Sequence, residues 1–129
     1  MRLLGIDYGT KKVGVAMTDL TGVYPAPYQV LPNNQHLVSE IEKICQTEKI
    51  DKIVVGDPIN FKKVENEMRA EVKKFAEELA QHLNLPVDFE NEFYTSKEAE
   101  RIIGRDDMYD ARAAALILRS YIDRMIKQK

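Results

Sequence analysis

The chain has 129 residues, 44% hydrophobic and 31% charged, with 19 Lys and Arg against 21 Asp and Glu for a formal net charge of −2. One domain over residues 1–129 fits that length and hides roughly two-thirds of its unfolded surface, and the apolar fraction excludes a disordered or fibrous chain. No apolar run approaches the ~20 residues of a membrane helix, Asp7 interrupts any signal-peptide pattern, and a pI near 5.7 argues against a broad basic surface for nucleic acid.

Residues 2–8 read as a short buried strand closed by Gly9-Thr10. Lys12 to Thr18 alternates around Val13, Val15 and Met17, which predicts a second strand, and the short link between the two predicts an antiparallel hairpin. A third strand is expected within residues 24–31, where Pro25 and Pro27 either restrict it to a sheet edge or lie at its ends. After Pro32-Asn33-Asn34 the period changes, and Leu37, Ile41, Ile44 and Cys45 recur at helical spacing. Cys45 is the only cysteine. It has no intramolecular partner, so a reducing cytoplasm is the expected compartment.

Lys52-Ile53-Val54-Val55-Gly56 is the continuous apolar run of a parallel strand covered on both faces. Met68, Val72, Phe75, Ala76, Leu79 and Leu83 mark one face of a long helix. Residues 86–92 give a fifth strand, Thr95-Ser96-Lys97-Glu98 has capping-box spacing for a short helix, and a final helix runs from Asp110 to about Ile126. Strands alternating with helices predict an α/β fold whose first three strands form an antiparallel meander.

Ligands of open α/β sheets collect outside the carboxyl ends of parallel strands. Asp7 and Glu92 lie at two such ends, and Asp110 opens the last helix, sharing a face with Ala113, Ala114 and Ile117. Small alanines let that helix approach the sheet and bring Asp110 toward Asp7. Three carboxylates without counter-charge repel one another, and a divalent cation removes that conflict. Mg²⁺ prefers oxygen ligands and keeps several waters, so a few carboxylates and a substrate phosphate complete its shell. Two such ions suit phosphodiester hydrolysis.

Each acid also has an ordinary structural reading. Asp110 is a helix cap or first-turn residue, Glu92 ends a strand, and Asp7 makes an Asx turn in the hairpin. Asp57, near the end of the fourth strand and beside the first, either supplements the acid cluster or, the preferred reading, is a loop acid leading into a helix. Lys11, Lys12, Lys62, Lys63, Arg101, Arg105 and Arg112 read as surface charges able to make local phosphate contacts.

The run Leu4-Gly5-Ile6-Asp7-Tyr8-Gly9-Thr10-Lys11-Lys12-Val13-Gly14-Val15-Ala16 resembles the opening of the YqgF, or RuvX-like, nuclease family of the RNase H-like superfamily. The resemblance continues through residues 51–58, Lys74 to Leu79, Thr95 to Arg101 and Asp110 to Asp123, in order and over nearly the whole chain. It implies an RNase H-like five-stranded mixed sheet flanked by helices. It assigns Asp7, Glu92 and Asp110 as catalytic, metal-binding acids for Mg²⁺ or Mn²⁺. It also implies a bacterial cytoplasmic nuclease, monomeric or homodimeric, that matures the 5′ end of the small-subunit ribosomal RNA precursor on a pre-ribosomal particle. Resolution of DNA Holliday junctions is the family's older assignment.

The chain departs from the family's usual Asp-Glu-Arg-Leu-Thr-Thr string with Asn91-Glu92-Phe93-Tyr94-Thr95-Ser96, and has Phe61-Lys62-Lys63 where the family has an Asp-Gly turn. Phe93 cannot supply the planar phosphate-binding fork of an arginine. A non-catalytic nucleic-acid or ribosome-assembly module of the same fold is therefore the main alternative. The Asp7-Tyr8-Gly9-Thr10 turn also resembles the phosphate loop of sugar kinases, actin and heat-shock ATPases, which close two domains around ATP. This chain has room for one.

Overall fold

In the computed structural model, the structure describes residues 1–57, 65–91 and 108–127. Three strands come first: β1 (Leu3–Tyr8), β2 (Lys12–Thr18) and β3 (Pro25–Pro32). They are followed by α1 (Leu37–Glu48), β4 (Lys52–Asp57), α2 (Glu65–Leu83), β5 (Val87–Asn91) and α3 (Tyr109–Lys127). The predicted short helix beginning at Thr95 lies outside the described residues.

The strands form one sheet in the order β3-β2-β1-β4-β5. β1 pairs antiparallel with β2 and β2 with β3, whereas β1–β4 and β4–β5 are parallel. The meander and the buried parallel strand β4 thus stand as the sequence predicts. β3 is an edge strand whose register on β2 shifts between Val15 and Ala16, a bulge that accommodates the Pro27-Tyr28 segment.

Alternation along each strand splits the core into two layers. Leu4, Ile6, Val13, Val15, Ile53 and Val55 pack with Ile41, Val72, Phe75 and Leu79 of α1 and α2. Leu3, Ala16 and Val54, on the opposite face, pack with Ala114, Ile117, Leu118, Tyr121 and Ile122 of α3. β1 and β4 are covered on both sides, which is why β4 reads as an unbroken apolar run. Cys45 is buried in the first layer. Burial, then the nearby Glu42 carboxylate, pushes its thiol up to about 11.

Two glycines set the distance between α3 and the sheet. A Cβ on Gly5 would lie 2.5 Å from Leu118 Cγ and 3.0 Å from the Ala114 carbonyl. One on Gly14 would lie 1.8 Å from the Asp110 carbonyl and 2.8 Å from the Ala111 nitrogen. Among the described residues no helix is long and apolar enough to cross a membrane.

Candidate active site at the end of the first strand

Asp7 is the fifth residue of β1 and shares its strand face with Leu3 and Gly5, the face on which α3 lies. Its cross-strand partner is Gly14. The first turn of α3 rests on Gly14 with the Asp110 backbone, at a separation no side chain would permit. Asp7 and Asp110 are therefore gathered at one corner of the sheet by two rigid elements, and both are half-buried. In the β1–β2 turn beside this corner Lys11 and Lys12 are exposed, while Gly9 closes the hairpin so tightly that a Cβ there would meet the Lys12 carbonyl at 2.5 Å.

Glu92, the third expected acid, lies outside the described residues, as do Phe93, Lys62, Lys63, Arg101 and Arg105. Among the described residues no three His, Cys, Asp or Glu side chains converge as a metal site. The donors present at the corner are hard carboxylate oxygens, the type that Mg²⁺ or Mn²⁺ takes, so the corner fits such an ion in kind.

Two details of the expected geometry need correction. The residues that seat α3 are Ala111, Ala114 and Leu118, all fully buried, whereas Ala113 is only partly buried. Helical spacing from Asp110 alone does not separate these neighbouring stripes. Asp57 is not a loop acid: it is the last residue of β4, buried, on the face of Ile53 and Val55. It pairs with Arg69 of α2 at 3.2 Å, on the side of the sheet away from Asp7.

The sequence reading missed a polar network beneath the other half of α3. Glu90 is only 2% exposed, yet it faces this helix. Ser120 Oγ donates to its Oε2 at 2.7 Å, and Arg124 Nε donates to its Oε1 at 2.8 Å. Two residues upstream, Asp88 Oδ2 accepts from Tyr121 Oη at 2.6 Å and pairs with Lys52 Nζ at 2.7 Å. The hydrogen bonds from Lys52 and then Tyr121 hold the Asp88 carboxyl below its usual range, and the bond to Asp88 holds Lys52 above its own. The Lys52 ammonium and the Arg124 guanidinium lie 5.4 and 5.3 Å from the Tyr121 ring centroid. The available signal was the pair Asp88 and Glu90 at strand spacing, matched by Ser120 and Arg124 at helical spacing.

Comparison with solved structures defines the class. The structure of Thermus thermophilus RuvC superposes with a TM-score of 0.66 at 13% identity, covering 98% of this chain and 97% of that one. Fowlpox virus resolvase, solved with substrate Holliday junction DNA, superposes with a TM-score of 0.56 at 14% identity, covering 98% and 99%. The fold is RNase H-like, built as in the RuvC-type resolvases. At the level of sequence, the profile of the RuvX family, described as Holliday junction resolvase, matches residues 1–124. A Sulfurihydrogenibium protein named "Putative pre-16S rRNA nuclease" is 33% identical over 132 positions, covering 96% of this chain and 91% of the relative. A Syntrophus aciditrophicus protein of the same name is 34% identical over 139 positions, covering 100% and 93%. The chain belongs to the RuvX family.

Proposed function

We propose that the chain is a divalent-metal-dependent nuclease that hydrolyses phosphodiester bonds in the cytoplasm, with the precursor of small-subunit ribosomal RNA as its substrate. The observation that carries this reading is the seating of Asp110 on Gly14, directly across the ladder from Asp7. It brings the backbones of two acidic residues from different elements to the carboxyl end of a central strand, where α/β sheets place their ligands. Glu92 is the proposed third member, as the resemblance to the family implies. The names of the relatives supply the choice of RNA.

In this reading Asp7 and Asp110 hold the ions, and their fixed backbones keep reorganisation small when substrate arrives. Bound divalent cations would activate a water and stabilise the leaving oxygen. Lys11 and Lys12 give the exposed turn beside the acids a local positive charge, which an overall acidic protein needs for a polyanion. The hydrolysis itself forms one bond from water oxygen to phosphorus and breaks one to the leaving oxygen, which takes up a proton.

A second reading, cleavage of a four-way DNA junction, is favoured by the description of the family. Purified protein should be offered precursor ribosomal RNA, unrelated RNA and a four-way DNA junction, with and without EDTA. EDTA-sensitive cutting of RNA supports the first reading, and cutting of the junction alone supports the second. Cutting of none leaves a binding module.

A further inference from the structure

A cleft of about 580 Å³ opens on the α1–α2 face of the sheet, beside the turn that follows Asp7. Tyr8 lines it, one residue beyond Asp7 and directed to the opposite face of β1. The Tyr8 ring lies 4.7 Å from that of Phe75, tilted by 38°, and Leu37 and Val38 complete an apolar floor. One wall is a row of side-chain amides, Asn33, Asn34 and Gln35, from the link between β3 and α1. Asn33 Nδ2 donates to the Gly9 carbonyl at 2.7 Å, which ties this wall to the hairpin turn at the acid corner. On the opposite rim Lys74 stands between Glu71 and Glu78 on one stripe of α2, all three exposed.

The chemistry of the lining selects a ligand class. Aromatic and apolar floor groups offer a surface for a flat ring. Asn34 and Gln35 are exposed: Asn34 Oδ1 accepts from the His36 N–H and Gln35 Nε2 lies 3.4 Å from His36 Nε2, which leaves the Asn34 Nδ2 donor and the Gln35 Oε1 acceptor for a base edge. Two carboxylates against one ammonium make the rim unfavourable for a phosphate but not for a neutral base. We propose that this cleft takes one unpaired base of the nucleic-acid strand whose backbone lies at the Asp7–Asp110 corner. The proposal rests on the nuclease reading for the position of that backbone. The strand crosses the Gly9-Thr10 turn with its phosphate toward the acids and its base turned to the other face. A base inside a duplex reaches the cleft only after unstacking, so the site selects single-stranded segments.

Binding of a short fluorescein-labelled single-stranded RNA to the full chain, in EDTA so that no cutting occurs, tests this directly. Each nucleotide in turn is replaced by an abasic one. The expected profile has one position at which affinity falls about tenfold, the scale of a lost base–aromatic contact. Gln35→Ala should weaken the unmodified strand severalfold, and Val38→Glu, which puts a charge on the cleft floor, should erase the dependence on that position. Gln35 is exposed and outside the core, so its variant carries the test if Val38→Glu fails to fold. A flat abasic profile in the wild type, a Gln35→Ala protein that binds as wild type does, or no binding of any single strand overturns the proposal. Metal-dependent cutting with a flat profile would remove the cleft and leave the nuclease reading. A dip in the profile without cutting would do the reverse.

Discussion

The Asp110 carbonyl occupies the space that a side chain on Gly14 would need, 1.8 Å from an ideal Cβ. That carbonyl is backbone and cannot swing aside, so relief of the clash has to move the first turn of α3. Gly14→Ala should destabilise the protein by about 1–3 kcal/mol, the usual range for overpacking. It should also weaken divalent-metal binding more than Gly5→Ala does, because Gly5 meets α3 two turns further along. Urea unfolding and metal calorimetry on the two variants check this. Equal metal affinity in both would separate the Gly14 contact from the site.

Removing the acids should leave the shape intact. Asp7→Asn is expected to lower metal-dependent cleavage by at least about 10²–10³-fold, by analogy with the loss of a charge-stabilising group elsewhere, with an unchanged far-ultraviolet spectrum. Mg²⁺ or Mn²⁺ should bind the wild type weakly, and better with an oligonucleotide present, since substrate oxygens complete the shell. Calorimetry that finds the same affinity in an Asp7→Asn, Asp110→Asn double variant would mean that the ions bind elsewhere.

By the resemblance to the family, Phe93 takes the place of an arginine. Phe93→Arg should raise the cleavage rate or tighten substrate binding, because a guanidinium forks onto a phosphate as a phenyl ring cannot. Single-turnover rates on precursor RNA across a substrate series decide between the two effects. A variant indistinguishable from wild type in both would show that this position does not meet the substrate.

The Asp88–Lys52–Tyr121 cluster predicts a pH dependence of stability. Hydrogen bonds from Lys52 and then Tyr121 depress the folded pKa of Asp88. Its contribution is present above the unfolded carboxyl value and is lost as pH falls through the folded one, below about pH 4. The folded pKa of Lys52 is raised by its bond to Asp88, and that of Tyr121 by burial and then by the same bond. Their contributions are full below the unfolded values and are lost as pH rises through the folded ones, above about pH 10. Asp88→Asn should flatten both limbs of a stability profile obtained by urea unfolding. Limbs as steep as those of the wild type would place their origin in other groups.

The meander, the buried parallel strand and the helical faces were legible because period and run length report directly which sides of an element are covered. Asp7 and Asp110 could be singled out for the same reason, since each interrupts or opens an apolar pattern. Asp57 was misread because its partner, Arg69, comes from a helix twelve residues on, and no local pattern marks a strand-end acid as turned inward. β5 hid its arrangement more thoroughly. Its alternation puts Phe89 at 38% exposure and Glu90 at 2%, the reverse of what hydrophobicity suggests. Only a covering helix that brings Ser120 and Arg124 to the acid makes such burial tolerable, and those pairings span 30 and 34 residues.

The prolines of β3 have a consequence for how the molecule behaves at high concentration. Pro25, Pro27 and Pro32 lack the amide hydrogen a ladder requires, and the strand carries the bulge opposite Val15 and Ala16. An edge interrupted in this way is a poor template for a further strand, whether from another molecule or from a nascent chain beside it. Sheet-to-sheet aggregation through this flank is thereby discouraged by the strand's own backbone. Replacing Pro27 with valine would restore a hydrogen-bonding group to the flank and should lower the concentration at which the protein stays monodisperse in light scattering.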